Sequence, residues 1–325
     1  MNWNDKIFNI ENDEMFNNIA LELFQFQYKN VPIYKSYIDI NQIKINHIDN
    51  HKKIPFLPIQ FFKTHNIHAK NKTIQKTFLS SGTTKQKRSK HHLVDINIYK
   101  KSFLNSFEKF YGSPKSWTIL ALLPSYVEQG DSSLIYMVDQ LMKLSQSADS
   151  QYINNINGST ISTFNKLKQK QVLLIGVSYA LLELTEKLDI PAENWTIMET
   201  GGMKGKRKEI IRKELHDKLK NSFGVENIHS EYGMTELLSQ AYAKKNGVFH
   251  TPPWMKVLIR DLEDPYSFLN NEKSGGINII DLANVYSCSF IETQDLGKIH
   301  QDGSFEVLGR FDNAEIRGCN LLSFN

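Results

Sequence analysis

The sequence predicts an α/β fold with a parallel sheet in its middle and an antiparallel β subdomain toward its C-terminal end. Three observations predict it. The short apolar or β-branched runs WTILALLP, VLLIG and WTIMETGG each close on a turn. Helical patterns follow two of them, the alternation expected of parallel strands with helices packed across them. From about residue 254 the runs WMKVLIRD, GGINIIDL, CSFIETQ and FEVLGR are separated by polar turns with little helix between, as in antiparallel strands.

The first element is a helix in ENDEMFNNIALELFQFQYKN. Phe16, Ala20, Leu23 and Gln27 recur at helical spacing, and acidic residues stand at its start. A polar stretch rich in Lys, Asn and Ile follows to about residue 75 without a clear pattern. SYALLELTEKL reads as the helix after the second apolar run. KEIIRKELHDKLKNSFG reads as the helix after the third, with Ile211, Leu215 and Leu219 on one face and Gly224 as the stop. The strand-like NIHS runs into EYGMTE and then a further helix, for which Thr235 is a suitable cap and Glu236 a suitable first-turn acid. YSCSFIET alternates as a strand, which makes Cys288 a core residue, and QDG reads as a hairpin turn. No repeat or long linker interrupts the chain. We expect one core over residues 1–310: a helical segment to about 75, an α/β region over about 76–250 and a β subdomain over about 251–310. Residues 311–325 form a short tail.

The bulk properties of the 325 residues bound the function. A hydrophobic content of 40% and a charged content of 23% are ordinary for a globular protein. The net charge of +4 suits an anionic small substrate and is too weak to argue for nucleic acid. The N-terminal residues lack the basic and apolar regions of a signal peptide, and no apolar run approaches the ~18 residues of a membrane span. Two cysteines without a secretion signal imply a reducing compartment, the cytoplasm.

Open α/β sheets bind ligands where strands end, so the loops carry the functional signal. FLSSGTTKQKRSKHH offers hydroxyls and backbone N–H groups followed at once by cations, which suits a polyphosphate; it is also what a solvated surface loop looks like. TIMETGGMKGKRKE ends a strand on Gly-Gly, where the backbone can approach a flat ligand or simply make a tight turn. Tyr232, Thr235 and Glu236 could stack a base, hold a phosphate and bind Mg2+ through oxygen. In IETQDLGKIHQDGSFEVLGRFDNAEIRG, Asp295 falls between strands and Arg310 precedes a turn-like FDN.

Taken in order, SSGTT, the Gly-Gly loop, EYGMTE, TQDLG and GRFDN resemble the adenylate-forming superfamily of acyl-CoA synthetases and adenylation domains, over about residues 77–319. SSGTT, TGGMKG, IHSEYGMTELLSQAY, PPWMKVLIRD and IRGCNLL resemble more closely the LuxE-type acyl-protein synthetases, which supply fatty acyl groups to bacterial luminescence reductases. The resemblance implies ATP and Mg2+ as cofactors, a fatty acid as substrate and an acceptor protein as partner. It implies a phosphate loop at Ser80, Ser81, Gly82, Thr83 and Thr84. Tyr232 would stack on adenine in a slot lined by Gly201 and Gly202. Thr235 would contact the α-phosphate, Glu236 would hold Mg2+, Asp295 would accept hydrogen bonds from the ribose, and Arg310 would reach the same sugar.

The superfamily hinges a C-terminal lid, which holds a catalytic lysine, at the position of Asp312. Only 13 residues follow Asp312 and no lysine follows Lys298, so the expectation is an absent lid. Cys319 matches the cysteine that carries the acyl group in the luminescence-type synthetases, with Arg317 beside it to favour the thiolate. IGVSYALLEL is a candidate wall for an acyl chain and equally plain core packing. Two other functions stay open: an acid–CoA ligase resembling phenylacetate-CoA ligase, and a non-catalytic nucleotide- or acyl-binding module.

Overall fold

The computed structural model describes residues 3–81, 87–124, 131–154, 156–188, 192, 194–202 and 210–310. The chain forms two units, one combining the residues up to Asn71 with those from Pro253 on, the other made of Lys72–Pro252.

The first unit begins with helices α1 (Trp3–Phe8), α2 (Asp13–Asn30) and α3 (Pro32–Ile40), then strand β1 (Leu57–Pro58) and helix α4 (Phe61–Thr64). Helix α2 starts at Asn12, whose side chain accepts the N–H of Met15 at 2.9 Å, with Asp13 and Glu14 in its first turn. Phe16, Ile19, Ala20, Leu23 and Phe24 are buried along it, and Gln27 lies buried in the same stripe. Gln27 is at home there because its amide is fully used. Its Nε2 donates to the carbonyls of Asn284 and Val285 at 2.9 and 3.0 Å, and its Oε1 accepts the N–H of Ser289 at 3.0 Å.

The second unit opens with a hairpin of β2 (Lys76–Leu79) and β3 (Lys90–Leu93). Helix α5 (Ile96–Tyr111), β4 (Thr118–Leu122), α6 (Ser133–Ser145), β5 (Gln151–Tyr152) and α7 (Gly158–Leu167) follow. Then come β6 (Val172–Val177), α8 (Ser178–Lys187), β7 (Trp195–Thr200), α9 (Arg212–Phe223), β8 (His229–Tyr232), β9 (Ala241–Ala243) and β10 (Val248–Phe249). The sheet order is β5-β4-β6-β7-β8-β9, parallel from β5 to β8, with β9 antiparallel to β8. Every residue of β4 and β6 is buried, as strands covered on both faces require.

Two expectations change here. Ile211 is 71% exposed and precedes α9, whose buried face is Leu215, His216, Leu219 and Phe223. No helix follows Glu236. The chain turns and returns as β9, and residues 236–243 are all buried. Ala241, Tyr242 and Ala243 pair with Tyr232, Glu231 and Ser230, so this segment closes the sheet beside β8 instead of forming a helix.

The first unit resumes with β11 (Met255–Arg260), β12 (Ser274–Asp281), β13 (Phe290–Ile299) and β14 (Phe305–Arg310), antiparallel in the order β14-β13-β12-β11, with β1 parallel to the start of β13. The turn between β13 and β14 contains Gln301-Asp302-Gly303, with Gly303 at φ +83°. Cys288 is fully buried but precedes β13 rather than lying in it. Burial pushes its thiol up to about 12, which leaves it unreactive. No described helix is long and apolar enough to cross a membrane.

Burial holds His51 and His229 at about 4, with nearby lysines adding to the effect. An unfolded chain protonates its histidines near 6.5. Between these values the unfolded state binds protons that the folded state does not, so stability is complete above pH 6.5 and falls as pH drops toward 4. Thermal unfolding across that range should show a falling midpoint, and His51→Asn should lessen the fall.

Candidate functional site

The C-terminal ends of β6, β7 and β8 lie side by side, because these strands are parallel neighbours. Their last residues carry unusual polarity for a sheet interior. Thr200 is paired in register with Glu231, and its hydroxyl donates to the Glu231 carboxylate at 2.6 Å. Both residues are buried. On the opposite face, Glu199 is paired with Ser230. Glu199 accepts a hydrogen bond from the hydroxyl of Ser178 at 3.1 Å and stands 3.5 Å from Nε of Arg212 and 3.6 Å from Nε2 of His216. Burial pushes its carboxyl up, but the hydrogen bond of His216 and the charge of Arg212 outweigh this and hold it below the usual range.

The loops leave the sheet just beyond these pairs. Gly201 and Gly202 have φ of +73° and +65°, a left-handed conformation that glycine adopts without strain. Beside them Tyr232 ends β8. Its ring packs against Phe249 at 5.8 Å and is 9% exposed. Gly233 follows, where a Cβ would stand 2.4 Å from Oε1 of Glu231, so a side chain there would displace the carboxylate. Thr235 is half-buried and Glu236 buried in the following turn. The backbone carbonyl of Thr235 lies 2.7 Å from Nδ1 of His91 on β3, which ties this turn to the β2–β3 hairpin.

That hairpin carries Ser80 and Ser81. Ser80 bonds to Ser89 twice, through its N–H to the Ser89 carbonyl at 3.0 Å and through its Oγ from the Ser89 N–H at 2.9 Å, and its carbonyl accepts from Arg88. Gly82, Thr83 and Thr84 lie outside the described residues, as do Asp312, Arg317 and Cys319. Ser80, Ser81, Gly201, Gly202, Tyr232, Thr235 and Glu236 thus belong to the second unit. Asp295 and Arg310 belong to the first, where they are paired in register on β13 and β14, with Nε of Arg310 3.9 Å from Oδ1 of Asp295. Asp295 lies within β13 rather than between strands. Among the described residues no cluster of three or more His, Cys, Asp or Glu side chains could hold a metal ion.

Solved structures with this architecture include a CoA ligase and a CoA synthetase. The ATP-bound MatB from Rhodopseudomonas palustris is 15% identical, with a TM-score of 0.54 over 73% of this chain and 48% of that one. A 2-hydroxyisobutyryl-CoA ligase in complex with 2-HIB-AMP and CoA is 10% identical, with a TM-score of 0.68 over 93% of this chain and 70% of that one.

The fold is that of the adenylate-forming ligases.

The O-succinylbenzoate CoA synthetase MenE from Bacillus subtilis, in complex with ATP and magnesium, is 18% identical, with a TM-score of 0.52 over 72% of this chain and 49% of that one. The chain spans about half the length of the MatB and MenE structures. No protein-family model and no curated protein matches the sequence.

Within this ligase fold, sequence reasoning passed over His91, Glu199, Thr200 and Glu231. The signal for Glu231 was present: a carboxylate inside a short strand, immediately before the tyrosine of EYGMTE, has to be buried and partnered. Thr200→Val removes the hydroxyl that donates to Glu231 and should cost about 1–3 kcal/mol of stability, read as a lower urea midpoint at unchanged slope.

Proposed function

We propose that this chain activates a carboxylic acid, a fatty acid, with ATP, and passes the acyl group to its own Cys319 as a thioester for delivery to an acceptor protein, in the manner of the LuxE-type synthetases. The observation that carries the first half is the parallel register pairing Thr200 with Glu231. It sends Gly201–Gly202 and Tyr232–Glu236 out of the sheet side by side, in a fold shared with proteins solved with ATP and with an acyl-AMP. The second half rests on the resemblance around Cys319.

In this reading the Ser80–Thr84 loop and the turn at Thr235 hold the phosphates, the Thr235 hydroxyl toward the α-phosphate. Gly201 and Gly202 let the backbone approach the adenine, and Tyr232 flanks it. Asp295 accepts from the ribose hydroxyls, and Arg310 reaches the same sugar. The donor set suits Mg2+: Glu236 is a single hard-oxygen ligand, and this ion usually takes one or two carboxylates together with phosphate oxygens and water. When bound, Mg2+ neutralises phosphate charge and polarises the α-phosphoryl group.

An oxygen of the acid's carboxylate attacks the α-phosphorus. The bond to the bridging oxygen of the β-phosphate breaks, and pyrophosphate leaves with its electron pair. The thiolate of Cys319, favoured by the cation of Arg317, then attacks the acyl carbon and AMP leaves. The chain's contribution to the first step is alignment and charge compensation.

A second reading, transfer to CoA, is favoured by the likeness to CoA ligases. The fate of labelled acid separates the two: retained on denatured protein in the first, released with CoA in the second. A non-catalytic module shows no acid-dependent ATP–pyrophosphate exchange at all.

Exchange should therefore appear with some member of a fatty-acid series and vanish in EDTA. Tyr232→Ala and Asp295→Ala should each weaken ATP binding by about 1–3 kcal/mol, the worth of a stacked base or of a charged hydrogen bond, and Glu236→Gln should slow exchange without loss of fold. Unchanged ATP binding in both nucleotide-site variants would sink the assignment of the site.

Labelled acid and ATP should leave on the protein a label that hydroxylamine removes. Cys319→Ser should lose that label and still support exchange, while Cys288→Ser keeps it. A thioester label that persists on the Cys319 variant rules the acceptor role out.

A further inference from the structure

Asp295 reaches its place through an irregularity in β13. Along β12 and β13 the pairs run Gly275 with Gly297, Gly276 with Leu296, and then Asn278 with Glu292. One residue of β12, Ile277, therefore faces three of β13: Thr293, Gln294 and Asp295. Such a bulge takes backbone groups out of the ladder and re-aims the side chains it carries, and groups buried there need other partners.

Arg260, on β11, supplies them. Its register partner is Gly276, where a Cβ would stand 2.4 Å from the guanidinium carbon. The missing side chain lets the guanidinium lie across β12 as far as β13. Nη1 donates to the Ile277 carbonyl at 3.1 Å and to Oδ1 of Asn278 at 2.9 Å. Nη2 donates to the Thr293 carbonyl at 2.9 Å and stands 3.6 Å from the Glu292 carboxylate. Thr293 carries the connection on. Its hydroxyl donates to the Ile277 carbonyl at 2.8 Å and accepts the N–H of Asp295 at 3.1 Å. Arg260 is 3% exposed, so these bonds are made away from water.

From this geometry we infer that Arg260 is a positioning residue for nucleotide recognition: it holds the β13 bulge from beneath, so that Asp295 is presented to the ribose hydroxyls of ATP. The inference rests on the reading of Asp295 as the ribose acceptor. A guanidinium suits the task because its planar fork reaches acceptors on two strands at once, which an ammonium does not. An arginine of structural value alone would lower stability when replaced and leave the choice among nucleotides unchanged.

The test is equilibrium dialysis of the full chain with ATP, 2′-deoxy-ATP and 3′-deoxy-ATP, with folding checked by circular dichroism. The wild-type chain should bind ATP about tenfold or more tightly than the weaker-binding deoxy analogue, as expected when a hydroxyl bonded to a carboxylate is deleted. In Arg260→Lys that ratio should fall to within about threefold of one, mostly through weaker ATP binding. If Arg260→Lys does not fold, Thr293→Val takes its place, since it cuts the hydroxyl link and leaves Arg260 intact. A wild-type ratio retained in the deciding variant overturns the positioning role while the ribose reading stands. Equal binding of all three nucleotides by the wild-type chain overturns the ribose reading, and the positioning role with it.

Discussion

Two parallel strands end at a fixed place relative to one another only where something ties their last residues. Here it is the hydroxyl of Thr200 against the carboxylate of Glu231, the last register pair of β7 and β8. A buried carboxylate is costly unless partnered, so the pair is confined to one arrangement. Its charge is felt further in. Tyr99, Tyr111 and Tyr242 are held neutral first by burial and also by the negative charge of Glu231. Gly233 follows from the same constraint, because the carboxylate occupies the space of a side chain there.

The other face of the same strand ends is tied independently. Glu199 links the start of α8 through Ser178 to the start of α9 through Arg212. The C-terminal ends of β7 and β8 are therefore tied by one carboxylate on one face of the sheet and one on the other.

Much of this was legible in the residues. The apolar runs became β4, β6 and β7, adjacent in the sheet, because fully buried strands have to be apolar throughout. Gly201–Gly202 and Gly224 marked a turn and a helix end because left-handed backbone selects glycine. The failures share a cause, which is tertiary context. The run after Glu236 has residues compatible with a helix, and only the pairing of Ala241–Ala243 with β8 decides for a strand. Ile211 fits the helical stripe by spacing and lies outside the helix. Cys288 sits in a turn whose burial comes from distant elements. Arg260 looks like the charged end of a strand, and its role depends on Gly276 and Thr293, neither of them near it in sequence.

Gln27 has a consequence for biosynthesis. Its bonding partners Asn284, Val285 and Ser289 lie more than 250 residues downstream, and so does Phe290, whose ring meets Phe24 at 6.4 Å. A ribosome adding about 5–20 residues per second takes on the order of 10–50 s to cover that distance. Over that interval the nascent α2 shows its apolar stripe without its partners, while Lys72–Pro252 is synthesised. The order of synthesis thus favours completion of the middle of the chain before its beginning, and leaves the apolar stripe of α2 uncovered until β13 is made.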